Sequence, residues 1–299
     1  MLRGISTVLC FALASVGVCA ATVQKFNCDS SYIAFDLHGS QTGDVQVAYF
    51  DSVPTGGWSD RFKKDCLLLR KVPLQNAGSS VSTPCAVSNS YYIGVFEVTR
   101  YQYALVMGQD PDRVADPVLP VDQVSWQQLR SVPEEAYSAE HDWPSRREVA
   151  GQSFFGRLRR LTQGEGFDLP TEAQWEHACC WGMSKDVVAI DAGGNEVSDR
   201  AQVRGDGGLF EVGRYCPNAL GLHDMFGNAA EWCLDRAGDT KNSPGGSRII
   251  DAFRILREGT KNTCGIGYRV KYHQHIGMNR MGFRVVLNCP VLCWRDILL

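Results

Sequence analysis

The sequence predicts an α+β domain in which short helices and short strands are separated by long loops. Helix-start signals recur along the middle of the chain, where a Ser or Thr precedes a Gln or Glu by three residues, the pattern of a capping box. These signals begin at Thr99, Ser125, Ser145 and Thr171. The 30 glycines and 7 tryptophans are typical of loop-rich structure with aromatic packing rather than of a helical bundle.

Strands are indicated by short runs of alternating or continuous apolar residues on both sides of this helical region and within it. In residues 44–50, Val45, Val47 and Tyr49 share one face of such a run. The other predicted strands are residues 32–37, 122–124, 167–169, 254–256 and 282–287.

Two of the four helix-start signals stand in a strong context because each follows a proline. The pattern after Ser145 predicts a helix that carries Phe154, Phe155 and Leu158 at helical spacing and ends near Gly164. The pattern after Thr171 predicts a short helix that ends at about Cys179.

Composition limits the class of function. The chain has 299 residues, 44% of them hydrophobic and 21% charged, which is ordinary for one large or two modest globular domains. The net charge is −3 and no long basic patch occurs, so nucleic acid is not an expected partner.

The first 20 residues are predicted to be a signal peptide. Arg3 supplies the positive end, residues 5–18 are an apolar run too short to span a bilayer comfortably, and cleavage is expected after Ala20. An uncleaved anchor is the alternative, whereas lipidation at Cys19 is disfavoured by the preceding Val18. The expected location is secreted, periplasmic or cell-surface, with no stable membrane span after cleavage.

The cysteine count favours disulfides in an exported chain. Of 12 cysteines, two lie in the predicted signal, which leaves an even number. The pairing is open. No C-x-x-C pair occurs, so a zinc ribbon or a thioredoxin-type site is not expected.

Residues 221–232, which read GLHDMFGNAAEW, are too rich in Gly and Asn for a helix interior and too apolar for a solvated loop. Such a segment is usually buried irregular backbone, whose polar groups must find partners. Asp224 and Glu231 are the two side chains in it best able to hold a cation.

Several motifs occur in an order that resembles the formylglycine-generating enzyme family, also called the sulfatase-modifying factor family. They read YIGVFEVT at 92–99, PVDQVSW at 120–126, FDLPTEAQWE at 167–176, PNALGLHDMFGNAAEW at 217–232 and GFR at 282–284. The resemblance covers residues 66–288 and implies a variant of the C-type lectin fold with little regular secondary structure. Residues 21–65 then form a small β-rich extension, and residues 289–299 form a tail.

The resemblance also implies calcium. Its ligands would be the side chains of Asp224 and Glu231 and the backbone carbonyls of Gly227 and Ala229, since Ca²⁺ takes several hard oxygen ligands in flexible geometry. The alternative is that Asp224 caps a turn and Glu231 pairs with an arginine such as Arg284. A second calcium site of the family would fall near Asp206, without a residue-by-residue match.

Catalysis is where this sequence departs from the family. Active members bind copper(I) with two cysteines that lie shortly after a Gly-Gly-Ser motif. Soft thiolates are the natural ligands for that ion. Here the corresponding stretch, 257–269, reads REGTKNTCGIGYR, with Thr260 in place of the serine and one cysteine, Cys264, which matches neither catalytic position. Copper is therefore not expected, and Cys264 is expected to be structural. If catalysis survives, Cys264 and Thr260 are the candidate catalytic residues, and a second thiol could come from Cys179, Cys180 or Cys233.

Two further sets of residues could carry chemistry. His273 and His275 could be two metal ligands, although a solvated loop is the better interpretation. Glu172 and Glu176 lie four residues apart and resemble a paired-carboxylate site, but they fall in the structural LPTEAQWE motif of the family.

Two functions remain open from the sequence. The favoured one is a non-catalytic module that binds a protein or peptide or serves a structural role. The alternative is an oxidoreductase that converts a cysteine of a target protein, of the sulfatase type, to formylglycine.

Overall fold

The computed structural model describes most of the chain between residues 26 and 288. The described residues are 26, 28–41, 45–74, 87, 89–131, 149–181, 208–214, 216–237, 253–260 and 263–288. Side chains are not described for residues 40, 41, 236, 258–260 and 263–268. The predicted signal peptide, the tail at 289–299, Asp206 and three cysteines, Cys85, Cys289 and Cys293, lie outside the described residues.

A six-stranded antiparallel sheet forms the first layer, and strand β10 from the end of the domain lies between β4 and the edge strand β5. Its order is β2 (Val47–Phe50), β1 (Tyr32–Asp36), β3 (Cys66–Val72), β4 (Tyr91–Gly94), β10 (Val286–Asn288) and β5 (Phe167–Asp168). Strands β1 and β2 come from the predicted extension, and Ile33 pairs with both Tyr49 and Leu69. The extension therefore continues the sheet of the domain.

A second sheet has four strands in the order β8 (Thr263–His273), β7 (Phe253–Thr260), β6 (Ala230–Arg236) and β9 (Met281–Gly282). Strands β7 and β8 form a long antiparallel pair, whereas β9 is parallel to β6. The predicted strand at 282–287 is therefore two short strands in two different sheets. Residues 283–285 connect them and carry the chain from one sheet to the other.

Four α-helices occur in the described part of the chain: α1 (Arg100–Met107), α2 (Trp126–Arg130), α3 (Phe154–Thr162) and α4 (Glu172–Cys179). The capping boxes at Thr99, Ser125 and Thr171 are confirmed. Each hydroxyl accepts from the backbone N–H of the Gln three residues on, and the side chain of that Gln accepts from the backbone N–H of the Thr or Ser. Each box satisfies two N–H groups that a helix start would otherwise leave without partners.

Ser145 itself lies outside the described residues, but the helix predicted to continue from it is wrong at residues 149–153, which are not helical. Helix α3 begins instead after Ser153, whose hydroxyl accepts from the Gly156 N–H at 3.1 Å. A Cβ at position 156 would lie 2.1 Å from the Ala150 carbonyl oxygen. The chain therefore folds back tightly just before the helix, which the periodicity of Phe154 and Leu158 does not reveal.

The predicted strand at 122–124 is also wrong. Gln123 has a φ of 60°, which is outside the strand region, and its N–H donates to the Met278 carbonyl at 3.2 Å. The segment forms a loop-to-loop contact in place of a sheet ladder.

The core confirms an α+β domain. One hydrophobic cluster gathers around Phe35, Trp126, Phe155 and Phe283, all completely buried, between the first sheet and helices α1 to α3. Burial of each such side chain contributes about 1.5–3 kcal/mol. A second cluster includes Tyr91, Trp175, Met225 and Cys233 and packs α4 against the segment 220–226. None of the helices in the described part of the chain has the length and apolar character that crossing a membrane requires.

Candidate functional site

Four charged side chains from distant parts of the chain meet in the interior, and they are called here the buried charge cluster. Glu97 follows β4, Asp224 lies in the loop before β6, Glu231 lies on β6, and Arg284 lies between β9 and β10. All four are buried, with exposures between 0% and 7%. The cluster thus lies where the two sheets and the 221–232 segment meet.

Arg284 and Glu231 form its centre. The Arg284 Nε donates to both carboxylate oxygens of Glu231, at 2.9 and 2.7 Å, and Nη2 donates to Oε1 at 2.7 Å. The remaining donors reach the carbonyl oxygens of Gly94, at 2.9 Å, and His223, at 3.1 Å. The Trp175 indole donates to Glu231 Oε2 at 2.7 Å. Glu231 therefore adopts the alternative arrangement that the sequence left open, a pair with Arg284.

Glu97 accepts two hydrogen bonds from the 221–232 segment. Its Oε1 accepts from the Ala229 N–H at 2.8 Å, and its Oε2 accepts from Asn228 Nδ2 at 2.6 Å. Burial raises the pKa of Glu97 well above its ordinary value, and the nearby Asp224 and Glu231 raise it further, against the opposing effect of Arg284.

Asp224 has an oxygen without a partner. Its Oδ2 accepts from the Gly213 N–H at 2.6 Å, which ties the loop to residues 208–214. Its Oδ1 is buried and has no hydrogen-bond partner among the described residues. Burial raises the pKa of Asp224 to about 6, although the Gly213 N–H and Arg284 act in the opposite direction.

The cluster holds three buried carboxylates against one buried guanidinium, Arg284. Such a surplus of negative charge requires a proton or a bound cation. Asp224 Oδ1 is suited to a hard cation, whereas both oxygens of Glu231 are already taken by Arg284 and Trp175. Among the described residues, no group of three or more His, Cys or acidic side chains is placed to hold a metal ion. Any Ca²⁺ beside Asp224 would therefore depend on backbone carbonyls as well.

The two predicted carbonyl ligands lie in the turn that leads into β6. Gly227 has a φ of 98°, a conformation that favours glycine, and Asn228 follows with a φ of 65°. The Arg280 guanidinium donates to the Asn228 carbonyl at 3.2 Å and fixes this turn from outside. The structure thus places Asp224, Gly227 and Ala229 in the loop before β6 and Glu231 on β6 itself, and calcium there stays a prediction.

The other predicted site residues lie elsewhere. Thr260 and Cys264 are at the turn end of the β7–β8 pair, where Thr260 pairs with Thr263, but their side chains lie outside the described residues. Glu172 and Glu176 are ion-paired to Arg257, at 3.0 and 2.5 Å, and Glu172 also pairs with Arg269 at 2.6 Å. These carboxylates therefore connect α4 to β7 and β8, and their ion pairs indicate a structural role rather than acid–base catalysis.

His273 and His275 stack with ring centroids 5.2 Å apart, and the His275 N–H donates to His273 Nδ1 at 3.4 Å. His275 is exposed at the start of a surface loop. His273 is the last residue of β8 and Gln274 is buried, so the solvated-loop interpretation of the HQH sequence holds for His275 alone.

Sequence reasoning missed Glu97. A signal was available, because Glu97 is the one charged residue in the otherwise apolar run YYIGVFEV at 91–98. A single charge in a buried run implies partners elsewhere in the chain. The sequence does not show which partners these are.

Several described cysteines behave as buried structural thiols. Cys66 and Cys233 form no disulfide, and they are 3% and 0% exposed. Burial raises the pKa of Cys66 to about 11 and raises that of Cys233 well above its ordinary value, so both stay protonated at neutral pH.

The comparisons with known proteins identify the family of this chain. Residues 74–289 match the family described as the sulfatase-modifying factor enzyme 1-like domain. The chaperone protein LppX of Paenibacillus barcinonensis is 26% identical over 272 residues, which cover 80% of this chain and 95% of that protein. A formylglycine-generating enzyme of Thermomonospora curvata is 34% identical over 86 residues, which cover 23% of this chain and 27% of that enzyme.

Among solved structures, PvdO from Pseudomonas aeruginosa has a TM-score of 0.50 and 17% identity, over 75% of this chain and 95% of that one. This likeness confirms the variant of the C-type lectin fold. Since the family match spans residues 74–289, well over half of the chain, the protein belongs to the sulfatase-modifying factor family and carries a divergent formylglycine-generating-enzyme-like domain.

Proposed function

We propose that this protein is an exported, non-catalytic member of its family that acts as a binding or structural module. The single observation that carries the proposal is that the stretch 257–269 contains one cysteine, Cys264. One thiolate does not supply the pair of soft ligands that copper(I) takes in the active enzymes. The residues present therefore do not fit copper.

The strand register argues against help from Cys233. Trp232 on β6 pairs with Leu256 on β7, and Leu256 pairs with Val270 on β8. Cys264 precedes Val270 by six residues, a separation of about 20 Å along a strand. The backbones of Cys233 and Cys264 are thus too far apart for their sulfurs to bind one ion.

The other two candidate thiols belong to the core. Cys179 and Cys180 end helix α4 and are 0% and 8% exposed, packed in the cluster that contains Met225 and Phe226. The Cys179 thiol points to the Met225 carbonyl oxygen at 3.8 Å. Their place in the packing supports a structural role.

The surface loop at residues 274–280, whose backbone is held by hydrogen bonds, favours a binding function. Its backbone is held from inside, where Gln274 and Met278 carbonyls accept from Gln127 and Gln123 at 2.9 and 3.2 Å. Its outer side presents Ile276 and Met278, which are 39% and 51% exposed. Because the backbone here is already held, binding would have to order only the side chains, which lowers the entropic cost of forming an interface. The related LppX is named a chaperone protein, and a contact surface for polypeptides would agree with that name.

Export and calcium complete the proposal. The leader at residues 1–20 would place the mature chain, beginning at Ala21, outside the cytoplasm. There, Ca²⁺ beside Asp224 would offset the surplus of buried negative charge, and disulfides could form among the cysteines outside the described residues. The mass of the protein purified from a secreting host tests the cleavage, since a mature chain starts at Ala21.

Copper(I) competition with a chromophoric chelator tests the missing ligand pair. We expect the wild-type protein to leave copper(I) with the chelator, as a Cys264→Ser variant does. Withdrawal of one equivalent of copper by the wild type alone would support the alternative, a formylglycine-generating oxidoreductase, which family membership keeps open.

A displayed library of random peptides tests the loop. Peptides selected on the wild-type protein should lose binding to an Ile276→Ser/Met278→Ser variant and keep it on Val53→Ser/Leu74→Ser, two exposed apolar residues outside the loop. Equal binding to both double variants would contradict a role for the loop.

A further inference from the structure

A cavity of about 520 Å³ opens between the end of α1, the turn at Pro111–Arg113 and helix α3. Its floor is apolar and is formed by Leu105, Val106 and Leu161. Arg157 and Arg160 from α3 reach its wall. The volume lies in the range of small-molecule sites, about 300–1,000 Å³.

Arg157 is held in place by the protein. Its Nε and Nη2 donate to the backbone and side-chain oxygens of Gln152, at 3.2 and 2.8 Å, and its Nη1 donates to the Met107 carbonyl at 3.2 Å. These bonds use three of its five N–H donors. One donor on each terminal nitrogen therefore has no partner among the described residues, and the plane of the guanidinium is already fixed.

Arg160 lies one helical turn further on and is exposed. Its Nη2 donates to the Gly151 carbonyl, which orients the side chain across the turn before α3. No carboxylate of the described residues forms an ion pair with Arg157 or Arg160. Both guanidiniums therefore keep N–H donors that a bound anion could use.

Two other groups at the cavity carry negative potential. Asp110 lines the rim, but its carboxylate already pairs with Arg113 at 3.1 Å and caps the Asp112 N–H at 3.2 Å. The C-terminal end of α1 carries the negative pole of the helix, which the bond from Arg157 to Met107 offsets. The balance of charge along the wall of the cavity is therefore positive.

We propose that this cavity binds a small organic carboxylate with an apolar body, a ligand that the proposed module function does not include. The planar carboxylate would meet the spare donors of Arg157 and those of Arg160, since guanidinium and carboxylate match in geometry. The apolar body would cover Leu105, Val106 and Leu161. The site shares no residue with the buried charge cluster or with the 274–280 loop.

Isothermal titration of the full mature chain with octanoate tests the site, with octanol and acetate as matched probes that lack the charge and the apolar body. We expect saturable binding of octanoate with a Kd of about 1 mM or tighter, as is usual for a ligand of this size. Octanol and acetate should bind at least about tenfold more weakly.

The variant Arg160→Gln should weaken octanoate binding about tenfold or more, the loss expected when one charge-assisted hydrogen bond is removed. The matched control is Arg214→Gln, an exposed arginine outside the cavity. Circular dichroism should show both variants folded, since neither guanidinium is buried.

Three results would overturn the proposal: no saturable binding of octanoate up to about 10 mM, equal binding of octanol, or equal losses in Arg160→Gln and Arg214→Gln. None of these results bears on the copper or peptide experiments, which address other residues.

Discussion

Arg284 and Glu231 form a completely buried ion pair in which two guanidinium nitrogens donate hydrogen bonds to both carboxylate oxygens. Arg284 lies where the chain passes from the second sheet to the first, and Glu231 lies on β6 of the second sheet. The pair therefore joins the two sheets at the point where the 221–232 segment enters the core.

Removal of one partner should destabilise the fold strongly. Arg284→Met leaves the Glu231 carboxylate buried without a counter-charge, which typically costs about 3–5 kcal/mol. Urea unfolding measures the loss. The control is Arg113→Gln, whose ion pair with Asp110 is exposed and worth at most about 1 kcal/mol. A loss below about 1 kcal/mol in Arg284→Met would contradict the role given to the pair.

Calcium removal should lower the melting temperature, because chelation restores the uncompensated carboxylates around Asp224. The shift on addition of Ca²⁺ should vanish in Asp224→Asn, which removes the charge but keeps an oxygen for the Gly213 N–H. Asp116→Asn is the matched control, since Asp116 also has a positive φ but is exposed.

Differential scanning calorimetry in chelator and in Ca²⁺ checks both variants. An unchanged melting temperature in the wild type would count against the calcium site. A calcium-dependent shift that persists in Asp224→Asn would show that the ion binds elsewhere in the protein.

Acid should destabilise the protein through His177. This histidine is 3% exposed between Tyr91 and Trp181, its Nδ1 has no partner among the described residues, and burial lowers its pKa. The unfolded chain therefore binds a proton more readily, so the contribution is complete above about pH 6.5 and falls as the pH drops below it.

Urea unfolding between pH 5 and pH 8 should show this loss in the wild type. In His177→Asn, the free energy of unfolding should fall less steeply towards pH 5. Parallel curves for the two proteins would show that His177 does not titrate with folding.

The capping box of α4 should be worth about 1 kcal/mol. Thr171→Ala removes the hydroxyl that accepts from the Gln174 N–H at 3.1 Å. Ser59→Ala is a matched control, because Ser59 precedes a 3-10 turn without forming a side-chain cap. Denaturant midpoints compare the two, and equal midpoints would show that the cap adds nothing.

Local features were predictable from the sequence because their causes are local. The boxes at Thr99, Ser125 and Thr171 need only two side chains three residues apart, and all three start helices. The start of α3 was not predictable, because it depends on the contact between Gly156 and the Ala150 carbonyl.

Long-range features required the structure. The Glu97 carboxylate meets the Ala229 N–H across 132 positions of the chain, and no period or spacing in either segment indicates that contact. The break between β9 and β10 was hidden because residues 282–287 were read as one strand, although Arg284 within it marks the crossing. The composition of residues 221–232 indicated a buried irregular segment, but the partners of its charged side chains could be seen only in the structure.

The central claim, that this family member lacks the chemistry of its catalytic relatives, is tested most directly by a peptide oxidation assay. The mature protein is supplied with copper, oxygen, a thiol reductant and a cysteine peptide of the sulfatase type, and the peptide mass is followed. We predict that the peptide keeps its thiol, as it does with Cys264→Ser. Conversion of the cysteine to formylglycine by the wild type, but not by Cys264→Ser, would contradict the account.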